Sequence, residues 1–178
     1  MRRIYSLLIM LFWITFSNAE SFIQQHIPEA KQVSSARYSV FLFDVYDATF
    51  YTASGKPEVT APFALELVYL RSFKGEGIAD RSAEEMRDHQ GIDEITLADW
   101  HSQMRNIFPN VAKGDSITGV YPGQTECIFY KNSTLVGQVT DAKFCNAFFN
   151  IWFGKNTSTP ELREKLLTQT TFSIKKSK

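Results

Sequence analysis

The chain has 178 residues, 19 Lys and Arg against 19 Asp and Glu, 14% aromatic residues and two cysteines. That length carries one domain with a real core. The balanced charge excludes the basic surface of a nucleic-acid binder, and no self-similar period is visible, which excludes a solenoid or propeller.

Residues 1–19 have the form of a secretory signal peptide. Arg2 and Arg3 supply a basic start, Leu7 to Phe16 an apolar run, and Ser17-Asn18-Ala19 the small residues of a cleavage site. A bilayer span needs about 20 apolar residues, so the segment predicts export, to the periplasm or beyond, and no stable membrane span once it is removed. The mature chain, expected as a monomer from Glu20, loses Arg2 and Arg3 and keeps 17 basic residues against 19 acidic. In an oxidising compartment Cys127 and Cys145 are either a disulfide or two buried thiols. His26, His89 and His101 have no ligand spacing with each other or with cysteine, so no metal is predicted.

Residues 20–36 are mixed and polar and read as an extended lead-in to a domain over 37–169, with a polar tail over 170–178. "RYSVFLFDVYDATFYT", Arg37 to Thr52, is rich in β-branched and aromatic residues. With Asp44 and Asp47 as interruptions, it reads as one bent strand or two short ones. After a turn at Ser54-Gly55-Lys56-Pro57, "PFALELVYL" (62–70) reads as a strand with Glu66 on its outer face. Ser82-Ala83-Glu84-Glu85 fits a capping box for a short helix stopped by Gly91, and Thr96-Leu97-Ala98-Asp99 fits a second. Leu97, Trp100, Met104 and Phe108 then recur at helical steps before Pro109.

Ser116–Tyr121, Glu126–Tyr130 and Leu135–Val139 predict a three-stranded meander with turns at Pro122-Gly123 and Lys131-Asn132-Ser133. Thr140 or Asp141 caps a helix running to Phe153, and Thr159 caps a last one to about Leu167, with Pro160 at its first position. The order predicts an α+β fold, a large antiparallel sheet covered on one face by helices.

No nucleophile elbow, phosphate loop or dinucleotide fingerprint is present, and no cofactor is predicted. Glu84-Glu85 are adjacent on a helix and do not converge on one point. The anomaly is the helix before Gly154. Phe148, Phe149, Trp152 and Phe153 take up nearly every azimuth, so the helix is buried on two sides or lines an apolar cleft. Arg37, at a strand start with Tyr38, Tyr46 and Tyr51 near in sequence, is the candidate anchor for a carboxylate, because its planar fork matches two oxygens.

Four stretches in order resemble the chalcone isomerase-like family, especially its secreted bacterial branch: "FDVYDATFYT", "PFALELVYLRSF…IADRSAEEM", "FPNVAKGDSITGVYPGQTECIFYKNSTLVGQV" and "AFFNIWFGKNTSTPELREKLL". The resemblance covers about Arg37 to Leu167. It implies an aromatic helix packed on a large antiparallel sheet, with a cleft between sheet and helices. In the plant enzymes a chalcone phenolate closes onto its double bond with help from an arginine, threonines, a tyrosine and an asparagine. Carried over, one threonine falls near Tyr46 and the other at Ile151, followed by Trp152, while the helix expected to bear the tyrosine and asparagine reads "SAEEMRD". Arg37 matches the arginine only across a gap. The family's non-catalytic members bind fatty acids, with arginine and tyrosine on the carboxylate. The resemblance therefore implies first a small apolar or fatty-acid-like ligand, held by Arg37, Tyr46, Trp100, Met104, Ile151 and Trp152. Second comes isomerase (intramolecular lyase) activity, and third a structural or interaction protein whose cleft is filled by Trp100, Met104 and Trp152.

Overall fold

The computed structural model describes residues 18–123 and 125–169. Most of the expected signal peptide and the polar tail 170–178 lie outside the described residues. Six strands, β1 (Lys31–Val40), β2 (Phe43–Thr52), β3 (Phe63–Tyr69), β4 (Ser116–Tyr121), β5 (Cys127–Lys131) and β6 (Thr134–Val139), form one antiparallel sheet in chain order. The helices are α1 (Asn18–His26), α2 (Gly75–Gln90), α3 (Glu94–Ile107), α4 (Ala142–Phe153) and α5 (Pro160–Leu166). The α+β expectation holds.

Antiparallel neighbours can be joined by tight turns, and β1 and β2 use one. Val40 pairs with Phe43, which leaves Phe41 and Leu42 as the turn. Asp44 and Asp47, read as interruptions, both belong to β2. Alternation along β3 sends Phe63, Leu65, Leu67 and Tyr69 to the main core under α2, α3, α4 and α5, and Ala64 and Glu66 to the other face.

That second face is covered too. Where an extended lead-in was expected over 20–36, the chain forms α1 and the first half of β1. Phe22, Ile23 and Ile27 pack on Tyr51, Ala64, Val120, Ile128 and Tyr130. Tyr51, grouped in sequence with the candidate polar anchors, thus faces away from the main core. Glu66 lies on this face as expected but is buried rather than exposed, and accepts a hydrogen bond from Tyr51 Oη at 3.2 Å. Burial raises its carboxyl pKa.

Two helix starts differ from expectation. α2 begins at Gly75, so Ser82 is interior and its hydroxyl donates to the Ile78 carbonyl at 2.8 Å. The cap of α3 is Asp93, whose carboxylate accepts from Thr96 N–H at 2.9 Å. At α4 the structure chooses Asp141, which accepts from the backbone N–H groups of Lys143 and Phe144. The helix stops at Gly154, where a Cβ would come 2.5 Å from the Asn150 carbonyl oxygen. Cys127 on β5 and Cys145 on α4 are joined as a disulfide.

Candidate functional site

A cavity of about 250 Å³ lies between one end of the sheet and helices α2 and α4. The pairing register builds its floor. Tyr38 pairs with Tyr46 and Tyr46 with Tyr69, so three tyrosines stand in a row across β1, β2 and β3. Their ring centroids are 5.0 and 6.1 Å apart. Leu67, Phe108 and Ile117 continue the surface inward.

Helical periodicity builds the roof. From α2, Ile78, Arg81, Ser82 and Glu85 recur at steps of three and four and so share one face. From α4, Phe148, Ile151 and Trp152 do the same. Ser158 and Thr159 close the side between α4 and α5. At Gly77 an added Cβ would meet nothing within 4 Å, so this helical glycine opens onto space at the mouth.

The cavity is apolar inside and polar at one end. Glu85 is only 6% exposed; its Oε1 accepts from the Arg81 guanidinium and from Ser158 Oγ at 2.8 Å. The Arg81 side chain is 61% exposed, and its Nη1 also reaches exposed Glu84 at 3.4 Å. Trp152 Nε1 donates to Tyr46 Oη at 3.0 Å, which leaves the Tyr46 O–H to donate elsewhere. Burial pushes the Tyr46 phenol pKa far up, the Trp152 bond opposes this, and the charge of Glu85 adds to the rise. Tyr69 is raised by burial alone. Both phenols are therefore neutral hydrogen-bond donors across the physiological range, suited to a carbonyl or carboxylate oxygen.

Of the residues expected at a ligand, Tyr46, Ile151 and Trp152 line this cavity. Trp100 and Met104 do not; both are packed in the core, with Trp100 Nε1 donating to Asp141 at 3.1 Å. Arg37 lies outside as well, along a separate polar groove between β1 and α5. Its fork is taken by Asp47 at 2.7 and 2.9 Å and by Asp44 at 2.9 Å, which strengthens its hold on its proton. Tyr69, Ile78 and Arg81 were not singled out from sequence, and Glu85 was read only as a capping-box residue and as half of a carboxylate pair without a common target. Ile78 and Arg81 fell before the expected start of their helix, and Tyr69 is identified only by the strand register. Among the described residues no three His, Cys, Asp or Glu side chains are grouped to hold a metal.

The chalcone isomerase-like family's sequence profile matches residues 34–168. An uncharacterized protein of Haemophilus influenzae is 26% identical over 159 residues, 88% of this chain and 75% of that protein. The crystal structure of an Arabidopsis thaliana fatty-acid binding protein superposes with a TM-score of 0.59 at 11% identity, covering 78% of this chain and 87% of that one. At that identity the likeness is one of fold.

Proposed function

This chain belongs to the chalcone isomerase-like family, and from that premise we propose that its cavity binds, without transforming it, an apolar ligand ending in a carboxyl group. The observation that carries the reading is an apolar cavity with its charge at one end only, where Arg81 pairs with Glu85, and with Tyr38, Tyr46 and Tyr69 in the same lining. Glu85 and Ser158 hold the inner edge of that site. A ligand carboxylate would take the outer edge of the guanidinium, in place of Glu84, with a tyrosine O–H as second donor. The volume of about 250 Å³ sits just under the roughly 300–1,000 Å³ of drug-sized pockets, which favours a medium acyl chain.

Shared fold does not decide activity, but the fold neighbour's binding of a fatty acid supports the ligand class. The non-catalytic half rests on chemistry. Where the resemblance expects a threonine this chain has Ile151, and the helix expected to bear a tyrosine and an asparagine reads "SAEEMRD"; losing donors aimed at developing charge costs on the order of a hundredfold each. The signal-like N-terminus supports an export compartment, the periplasm or beyond, as the place of action.

Calorimetric titration with decanoate tests this. The parent should bind saturably. Gly77→Leu should abolish binding by filling the mouth, without destabilising the fold, since Leu is a better helix former than Gly by nearly 1 kcal/mol. Arg81→Gln should weaken binding about fivefold, the worth of a partly exposed charge pair, and Arg37→Gln should leave it unchanged. If Gly77→Leu binds like the parent, the cavity is not the site.

A further inference from the structure

The turn between β1 and β2 presents four apolar residues in succession to solvent: Val40, Phe41, Leu42 and Phe43, with Phe41 96% and Leu42 95% exposed. Among the described residues, the other large exposed apolar ones, Val59, Ile95 and Leu135, are scattered singly, which needs no explanation. A run at a hairpin tip is different, because such turns are ordinarily built from Gly, Asn and Asp. Phe41 also sits at φ 53°, a backbone region in which a bulky residue is a marked outlier and Gly or Asn costs little. With its ring in water, the fold recovers nothing for that cost.

We propose that this tip docks on a lipid surface, with Val40–Phe43 entering the interfacial layer and the cavity mouth held against it. Three features favour lipid over a protein partner. First, Val40 and Phe43 share one face as a cross-strand pair, and the turn residues Phe41 and Leu42 stand beyond them almost wholly in solvent, so the end of the hairpin offers apolar surface on more than one side, as a wedge surrounded by acyl chains must; a protein groove meets one side. Second, the Arg71 guanidinium lies 4.7 Å over the Phe43 ring, which sets a cation beside an aromatic just behind the tip, the level of headgroup phosphates. Third, Tyr38 and Val45 line the cavity and stand two residues from Val40 and Phe43, about 7 Å along the strands. An apolar ligand could thus pass between lipid and cavity with little exposure to water. That passage rests on the function proposed above; the docking itself does not.

The test uses the full chain carrying an environment-sensitive dye on Leu42→Cys, the native cysteines being joined to each other. It is mixed with phosphatidylethanolamine–phosphatidylglycerol vesicles and, separately, with phosphatidylcholine vesicles. A dye on Ile95→Cys, at a position 86% exposed and remote from the tip in sequence, is the control. The expected result is a blue shift and protection from iodide at position 42 and neither at 95. Adding Phe41→Asn, which suits the turn, should lower the lipid-inserted fraction about tenfold or more. The same substitution should leave decanoate titration without vesicles unchanged, so failure of docking and failure of ligand binding are read separately. Docking is overturned if the dye at 42 stays in water while the chain sediments with vesicles, or if Phe41→Asn changes nothing. It is equally overturned if the blue shift occurs without lipid and follows dimer formation, which would make the tip a contact between copies.

Discussion

Trp100 and Trp152 occupy opposite ends of one helix–sheet interface and are satisfied in the same way, each donating its indole N–H to a single oxygen, of Asp141 and Tyr46 respectively. Around Trp100 the space is full. Its ring meets Phe144 edge-on at 5.6 Å, Phe144 stacks on Phe148 at 5.9 Å, and the Cys127–Cys145 bridge ties β5 to α4 beside them. Around Trp152 the same helix faces the tyrosine row across an opening. Composition does not separate the two ends; both are aromatic and apolar. The difference lies in what stands opposite. α3 brings Leu97, Trp100 and Met104 into the first end, whereas α2 brings Gly77, Ser82 and a charged pair to the second. A cavity arises here from the partner helix's small and polar residues, not from the aromatic helix.

The contrast breaks if the two tryptophans respond alike to truncation. Trp100→Ala should cost about 3–5 kcal/mol, since it removes a packed ring and leaves a void. Trp152→Ala should cost at least about 1 kcal/mol less, because part of the volume beside that ring is already empty. Urea or thermal unfolding of both variants decides it, and equal losses would mean the cavity end is as tightly packed as the other.

Removing the bridge from the packed end should be the next largest effect. The cysteines are 18 residues apart, and a loop of that size is worth about 3 kcal/mol in the chain-entropy account. Cys127→Ala with Cys145→Ala should lose about that much stability while decanoate affinity at the far end holds. Unfolding curves and calorimetry on the double variant read the two effects separately; a matching loss of affinity would mean the ends are coupled.

The smallest expected effect is on the other face of the sheet, where burial raises the Glu66 carboxyl pKa above its unfolded value. A raised folded pKa adds stability below the unfolded pKa and withdraws it as pH rises through the folded one. Glu66 should therefore favour the fold more in weak acid than at neutrality. Glu66→Gln should flatten that dependence and melt no lower than the parent at neutral pH, as thermal melts across pH 4–8 would read.

Much of the fold was legible because it rests on local chemistry. The meander from Ser116 to Val139, the Asp141 cap and the Gly154 stop follow from alternation, turn residues and capping. α2 was half hidden because Gly75 and Gly77 dilute the helical signal ahead of Ser82. That error removed Ile78 and Arg81 from view, and with them the α2 side of the cavity roof. Arg37 misled for a different reason. It looks like an unclaimed cation until the register sets it directly across from Asp47. α1 was missed because only its long-range contact with Tyr51, Val120 and Ile128 gives its apolar residues a place to go.

The most direct test of the central claim is to see where a bound acyl chain lies. With carbon-13-labelled decanoate, intermolecular nuclear Overhauser effects to the methyl groups of Ile78, Ile117 and Ile151 would put the chain inside the cavity lined by those residues. Those contacts should be seen, none should reach Met104, and all should disappear in Gly77→Leu. Contacts instead to Leu162, in the groove that holds Arg37, or no saturable contacts at all, would contradict it.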